Sequence, residues 1–276
     1  MKRNILNSPR LSELKKHRRR AFLGKTLIFL FGFLVVFGFL IYISRLPRLN
    51  IDNIIVVGNK VVETEAIKEV AEKELAGDYF FVFPKTNIFL YPKNKLEYDL
   101  LNEFKRIKDV SFLVEDRKML RMVVSERTPK YLWCDGIVMS PSVPENCYFM
   151  DEGGFIFDEA PYFSGEVYFK FYGTASLLEK SFENLISFKK TLEGMGLRPA
   201  VLSIQENRDV RIFLSTSTGP EIIFKVDSDF QKVTENLEAA LTTEPLQSDF
   251  KNKYSSLLYI DLRFGNKVYF KFNESR

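Results

Sequence analysis

Histidine is nearly absent: of 276 residues only His17 is one, and it lies in a basic amino-terminal segment. Cysteine is scarce too, with Cys134 and Cys147 alone, and tryptophan occurs once. Beyond residue 25 there is therefore no material for a His-dependent triad, a Cys–His dyad or a His-ligated metal site. Two thiols thirteen residues apart form no C-x-x-C redox motif and make a poor metal site. Two readings of the pair stay open, a disulfide across the segment WCDGIVMSPSVPENCYFM or two buried free thiols. Ser–Lys catalysis fares no better. Ser12–Lys15, Ser187–Lys190 and Ser248–Lys251 have the S-x-x-K spacing, but no S-D-N or K-T-G partner follows. The paired acids Asp151-Glu152 and Asp158-Glu159 flank Gly153-Gly154 between apolar runs, which reads as hairpin-turn chemistry rather than acid/base chemistry. No catalytic constellation and no cofactor motif emerges.

What is present begins with an uncharged run of eighteen residues, Thr26 to Ile43 (TLIFLFGFLVVFGFLIYI). As a helix it would be about 27 Å long, against about 30 Å of bilayer hydrocarbon. Ahead of it stand Lys2, Arg3, Arg10, Lys15, Lys16, Arg18, Arg19, Arg20 and Lys25, with Glu13 the lone acid. Such a flank stays cytoplasmic, which places the bulk of the chain outside. A cleaved signal peptide would have a shorter apolar core and an A-x-A site, whereas SRLPRLN follows here, so an uncleaved anchor is expected. The KKHRRR cluster reads as the topology signal or a contact to anionic lipid, rather than as a nucleic-acid site. The net charge of +4 belongs to this tail; the remainder is net acidic.

Residues 49–128 read as β-α-α-β-β. IDNIIVV is a strand closed by Gly58-Asn59, Thr64 is a candidate cap, and Ile67, Val70, Ala71 and Leu75 make one helical face ended by Gly77. A Phe/Pro-rich connector precedes a second helix carrying Leu96, Leu100, Leu101 and Phe104, and two alternating strands follow. Residues 129–276 read as a mixed sheet flanked by helices, closing on Leu257–Leu262 and Lys267–Phe272. The predicted fold class is thus α+β: a basic tail (1–25), a transmembrane helix (26–45), a compact β-α-α-β-β module and a mixed-sheet β domain. The content of 27 Phe and 12 Tyr suits folded, β-leaning material.

Several motifs carry a resemblance. IDNIIVVGNK opens the module, Thr86-Asn87-Ile88-Phe89 precedes its second helix, and Val124-Ser125-Glu126-Arg127-Thr128-Pro129 forms its exit. Trp133, Tyr148-Phe149-Met150-Asp151-Glu152-Gly153-Gly154 and Tyr259-Ile260-Asp261-Leu262-Arg263-Phe264 follow in order. Behind a single span, over residues 20–272, this resembles the bacterial division proteins of the FtsQ/DivIB family, and the module resembles a POTRA domain. The Cys134/Cys147 pair and the longer loop between them depart from the family pattern, as does Phe224-Lys225 where a Gly is expected.

The resemblance implies a non-enzymatic scaffold in the cell membrane at the division septum. Its partners would be single-pass FtsB/DivIC-like and FtsL-like proteins, with no small-molecule substrate. It further implies that Phe264, Lys267, Tyr269 and Lys271 touch the partner, that Tyr259 and Asp261 are structural, and that the POTRA-like module is a second binding surface. Independently, Lys267–Phe272 is suited to a sheet edge. There its free N–H and C=O groups can template a partner strand, while Lys267 and Lys271 discourage self-association. The alternative is a membrane-anchored cell-wall enzyme using carboxylates alone, Asp151 or Asp158. A POTRA-bearing secretion component would need a following β-barrel, for which too little chain is left.

Overall fold

A computed structural model describes residues 9–136, 145–163, 167–216 and 218–273. The first eight residues of the basic tail and the Pro-rich centre of the intercysteine loop lie outside the described residues. The chain is mixed α+β and divides into two compact units, one ending at Glu126 and the other beginning at Arg127.

The first unit opens with α1 (Pro9–Ser44), a single helix of 36 residues. It starts well before the apolar run, so the expected boundary between tail and span at residue 26 is not a break in the helix. Leu, Lys, Arg and Ala are strong helix formers, and charge alone does not interrupt the backbone ladder. From Lys16 to Ser44 the helix is long and apolar enough to cross a membrane, and none of its apolar window is buried within the protein. A core helix would be covered; an anchor or a signal sequence is not.

Next come β1 (Asn53–Val57), α2 (Thr64–Leu75), a short hairpin of β2 (Asp78–Tyr79) and β3 (Phe83–Pro84), then α3 (Lys93–Glu103), β4 (Ile107–Glu115) and β5 (Met119–Glu126). β5 is the central strand, parallel to β1 and antiparallel to β4. Its alternation places Leu120, Met122 and Val124 beneath the helices, where they meet Ile67, Ala71, Leu96 and Leu100. The β2–β3 hairpin replaces the connector expected from the sequence. Thr64 is not the cap: Glu63 holds that position without a side-chain bond, and Thr64 Oγ1 instead accepts from Asn59 Nδ2 at 2.9 Å. The loop before α2 is gathered by Glu126, whose Oε1 accepts the N–H groups of Lys60, Val61 and Val62. Gly58 (φ +92°) passes so close to β5 that a Cβ would stand 2.2 Å from the Val124 carbonyl oxygen, which only glycine permits.

In the second unit β6 (Tyr131–Cys134), β7 (Cys147–Met150), β8 (Ile156–Glu159), β9 (Phe169–Gly173), β10 (Pro199–Ile204), β11 (Asp209–Leu214), β12 (Glu221–Lys225), β13 (Leu257–Phe264) and β14 (Lys267–Phe272) form one sheet. Its order is β14-β13-β12-β11-β10-β9-β6-β7-β8. Parallel pairs at β6–β9, β9–β10 and β12–β13 make it mixed. α4 (Ala175–Gly194) and α5 (Phe230–Leu241) pack Leu185, Phe188, Leu192, Val233 and Leu237 onto Phe171, Ile212, Phe224 and Ile260. Asp229 caps α5 by accepting the Gln231 N–H at 3.0 Å. A short helix, α6 (Leu246–Lys253), was not read from the sequence: its polar composition leaves Leu246 and Phe250 as the apolar contacts. Behind the sheet a smaller cluster gathers Leu132, Cys134, Tyr172, Val201 and Phe213.

Candidate functional site

β14 terminates the sheet and pairs with β13 alone, so its outer edge has no neighbouring strand among the described residues. Its alternation is regular. Val268, Phe270 and Phe272 turn toward the core, while Lys267, Tyr269 and Lys271 are exposed on the other face. The register sets Phe264 opposite Lys267, Asp261 opposite Tyr269 and Tyr259 opposite Lys271. The four residues implied as partner contacts therefore fall on one hairpin. Phe264 and Tyr269 touch edge-to-face, their centroids 5.2 Å apart, and remain 55% and 50% exposed. An aromatic pair that stays half in water although a core lies one residue away is available to a partner.

The hairpin is rigidly supported. Arg263 donates Nε to Asp261 Oδ1 at 2.9 Å and Nη1 to Asp209 Oδ2 at 2.8 Å. Lys225 Nζ stands 2.8 Å from the other Asp209 oxygen. Burial alone would raise the Asp209 pKa, but Lys225 and Arg263 outweigh it and hold this carboxyl below the usual range. The Asp261 and Asp209 carboxylates in turn raise the Arg263 pKa. Asp261 is buried and Tyr259 half-buried, so both are held within the sheet. The Arg263 guanidinium carbon also lies 5.6 Å from the Phe264 centroid, and Asn236 on α5 donates to the Gly265 carbonyl at 2.7 Å, pinning the turn. Asp209 was missed in the sequence reading. It lies 54 residues from Arg263, and the one local signal was an acid opening a strand whose other residues, Arg211 apart, are apolar.

The cysteines are direct cross-strand partners on β6 and β7 and are disulfide-bonded. Joined, neither sulfur offers a thiolate to a metal, and the adjacent Glu145 pairs with Lys170 at 3.3 Å. Asp151 is committed to its turn. Oδ1 accepts from the Gly153 and Phe155 N–H groups at 2.9 and 3.0 Å, and Oδ2 pairs with Arg127 at 2.6 Å. Ser248 Oγ bonds to Glu244, and Ser187 lies within α4; the side chains of Ser12, Lys15 and Lys251 lie outside the described residues. A cleft of about 600 Å³ between α2 and α3 is lined by Glu69, Lys73, Glu74, Lys95 and Asp99. There the Lys95 hydrogen bond draws the Glu74 pKa down. Glu126 is also lowered: burial opposes its charge, but the N–H groups of Lys60, Val62 and Val61 more than offset that. A general acid working near neutral pH needs the opposite displacement.

No protein-family model and no curated protein matches this sequence.

Proposed function

We propose that this chain is a membrane-anchored, non-enzymatic scaffold of the FtsQ/DivIB type. In this reading α1 is an uncleaved span with a cytoplasmic amino-terminus, and the rest of the first unit is a POTRA-like module. The second unit binds single-pass FtsB/DivIC-like and FtsL-like partners outside the membrane at the division septum. The observation that supports it best is the β13–β14 hairpin. Phe264, Tyr269, Lys267 and Lys271 share its exposed face at an unpaired sheet edge, and the Arg263–Asp209 pair stiffens it from behind. A partner strand added to β14 would satisfy its open backbone groups. The two lysines favour an acidic partner and resist a second copy of themselves. The commitment of Asp151 to its turn supports binding over carboxylate catalysis.

The test is co-purification of full-length protein with an FtsB-like partner. Phe264→Glu with Tyr269→Glu should weaken capture by about 30-fold or more, as expected for an aromatic hot spot. Both side chains are half-exposed, so Trp133 fluorescence during urea unfolding should be unchanged. Capture at the wild-type level by a folded double variant would rule out the edge as the binding site.

A further inference from the structure

The β2–β3 hairpin is built against the rules of its own turn. Tyr79 to Val82 is closed by a bond from the Val82 N–H to the Tyr79 carbonyl at 3.1 Å. Its central residues Phe80 and Phe81 have φ of +49° and +64°. Asn and Gly normally fill such positions, because bulky side chains tolerate positive φ poorly. Here two phenylalanines do so, and they are 89% and 94% exposed. Nothing among the described residues covers them, so packing between those residues does not account for their identity.

Their location does. The Phe83 ring lies edge-to-face on Phe37 of α1, centroids 5.8 Å apart. Phe37 is six residues short of the end of the apolar run at Ile43, or about 9 Å below it along the helix. The hairpin thus descends beside the helix to the depth of its apolar residues. Several of the polar groups that would be costly at that depth are satisfied from within. Arg45 Nη2 pairs with Asp78 at 2.8 Å, Nε donates to the Val82 carbonyl at 3.1 Å and Nη2 to the Phe81 carbonyl at 3.4 Å. Asn87 Nδ2 and Asn50 Nδ2 each donate to the Ser44 carbonyl at 3.0 Å, tying the module to the last turn of α1. Exposed Phe89 and Leu90 follow directly after that tie.

We propose that the Phe80–Phe81 hairpin tip is a second membrane contact, inserted in the outer leaflet beside α1 and fixing the attitude of the first unit on the bilayer. The occupant is lipid rather than a protein: the tip is continuous with the apolar surface of the helix, carries no unpaired charge, and has its Phe81 carbonyl, like that of Val82 beside it, bonded by Arg45. The inference rests on α1 being a retained span, and the experiment separates the two.

Full-length protein carrying Trp133→Phe is reconstituted in phosphatidylcholine–phosphatidylglycerol vesicles, with and without acyl-brominated phosphatidylcholine. One single-tryptophan variant is made at the tip, Phe81→Trp, with Phe80→Trp as a second probe. The reference is Phe31→Trp, within the span and away from the hairpin. The tip probes are expected to emit to the blue of aqueous tryptophan. Bromolipid should quench them to at least about half the extent seen at position 31, as for aromatic side chains seated at the bilayer boundary. Quenching at 31 but not at 80 or 81 overturns the proposal and leaves the span intact. Blue-shifted emission at the tip without quenching overturns it in favour of a protein neighbour. Absence of quenching at all three positions removes the span, and the proposal with it.

Discussion

Glu126→Ala should loosen the first unit by about 2 kcal/mol, and the reason is an unusual convergence on one carboxylate. Oε1 accepts the N–H groups of Lys60, Val61 and Val62 at 2.7, 3.0 and 3.0 Å, and Oε2 the Val61 N–H at 3.1 Å. The final residue of the central strand thereby closes the loop between β1 and α2, across more than sixty residues of sequence. A hydrogen bond to a charged group contributes roughly 1.5–3 kcal/mol net, but three such bonds do not simply add. Lys60 and Val61 are exposed, so water replaces much of what their N–H groups lose. The half-buried Val62 N–H is the costly one. Glu126→Gln, which keeps an acceptor oxygen but loses the charge, should cost about half as much.

The first unit has no tryptophan, so the measurement is hydrogen exchange by mass spectrometry on the full chain in detergent. A 2 kcal/mol loss corresponds to about 30-fold faster exchange in peptides covering residues 53–75 and 119–126. Peptides from β10 to β12 should be unmoved. The pH dependence carries a sign. Because the Glu126 pKa is lowered on folding, its contribution is complete above the unfolded value near 4.5 and declines as pH falls through the folded value. The gap in protection between wild type and variant should be full at neutral pH and close only below about pH 4.5. Unchanged exchange in residues 53–75, or a gap that persists at low pH, would refute the reasoning.

Two further outcomes concern the second unit, where Trp133 reports unfolding. Arg263→Ala leaves the nearly inaccessible Asp209 with Lys225 as its remaining cation. It should cost about 3 kcal/mol in urea at neutral pH, less as acid protonates Asp209. Replacing Cys134 and Cys147 together by Ser opens a loop of thirteen residues' separation, which the chain-entropy account sets at about 3 kcal/mol. The oxidised wild type should show no reactive thiol when denatured, and a titratable thiol there would contradict the bond.

How far the fold was legible depends on the range of the signal each element carries. The stripes of α2, α3, α4 and α5 and the alternation of β5 and β14 each repeat a short period, so Ile67, Leu96, Leu185 and Tyr269 could be assigned a face from their neighbours alone. α6 has too little apolar material for a period. That α1 runs on into the basic tail was not legible, because charge, which sets where a membrane begins, says nothing about where a helix does. At the candidate site the exposed face of β14 was legible, but its support was not: Asp209 meets Arg263 only when β11, β12 and β13 come together. The β2–β3 turn was illegible for a different reason. Turn reading relies on Asn and Gly, and Phe80-Phe81 violates that rule locally. Departures from local rules that a fold nevertheless retains tend to mark positions shaped by something outside the fold. Asp209 does not belong to that group, because its ion-pair partners, Lys225 and Arg263, lie within the sheet. Among the described residues Phe80 and Phe81 have no such partners, and the apolar surface beside them on α1 is continuous with an environment in which two exposed phenylalanines would be stable.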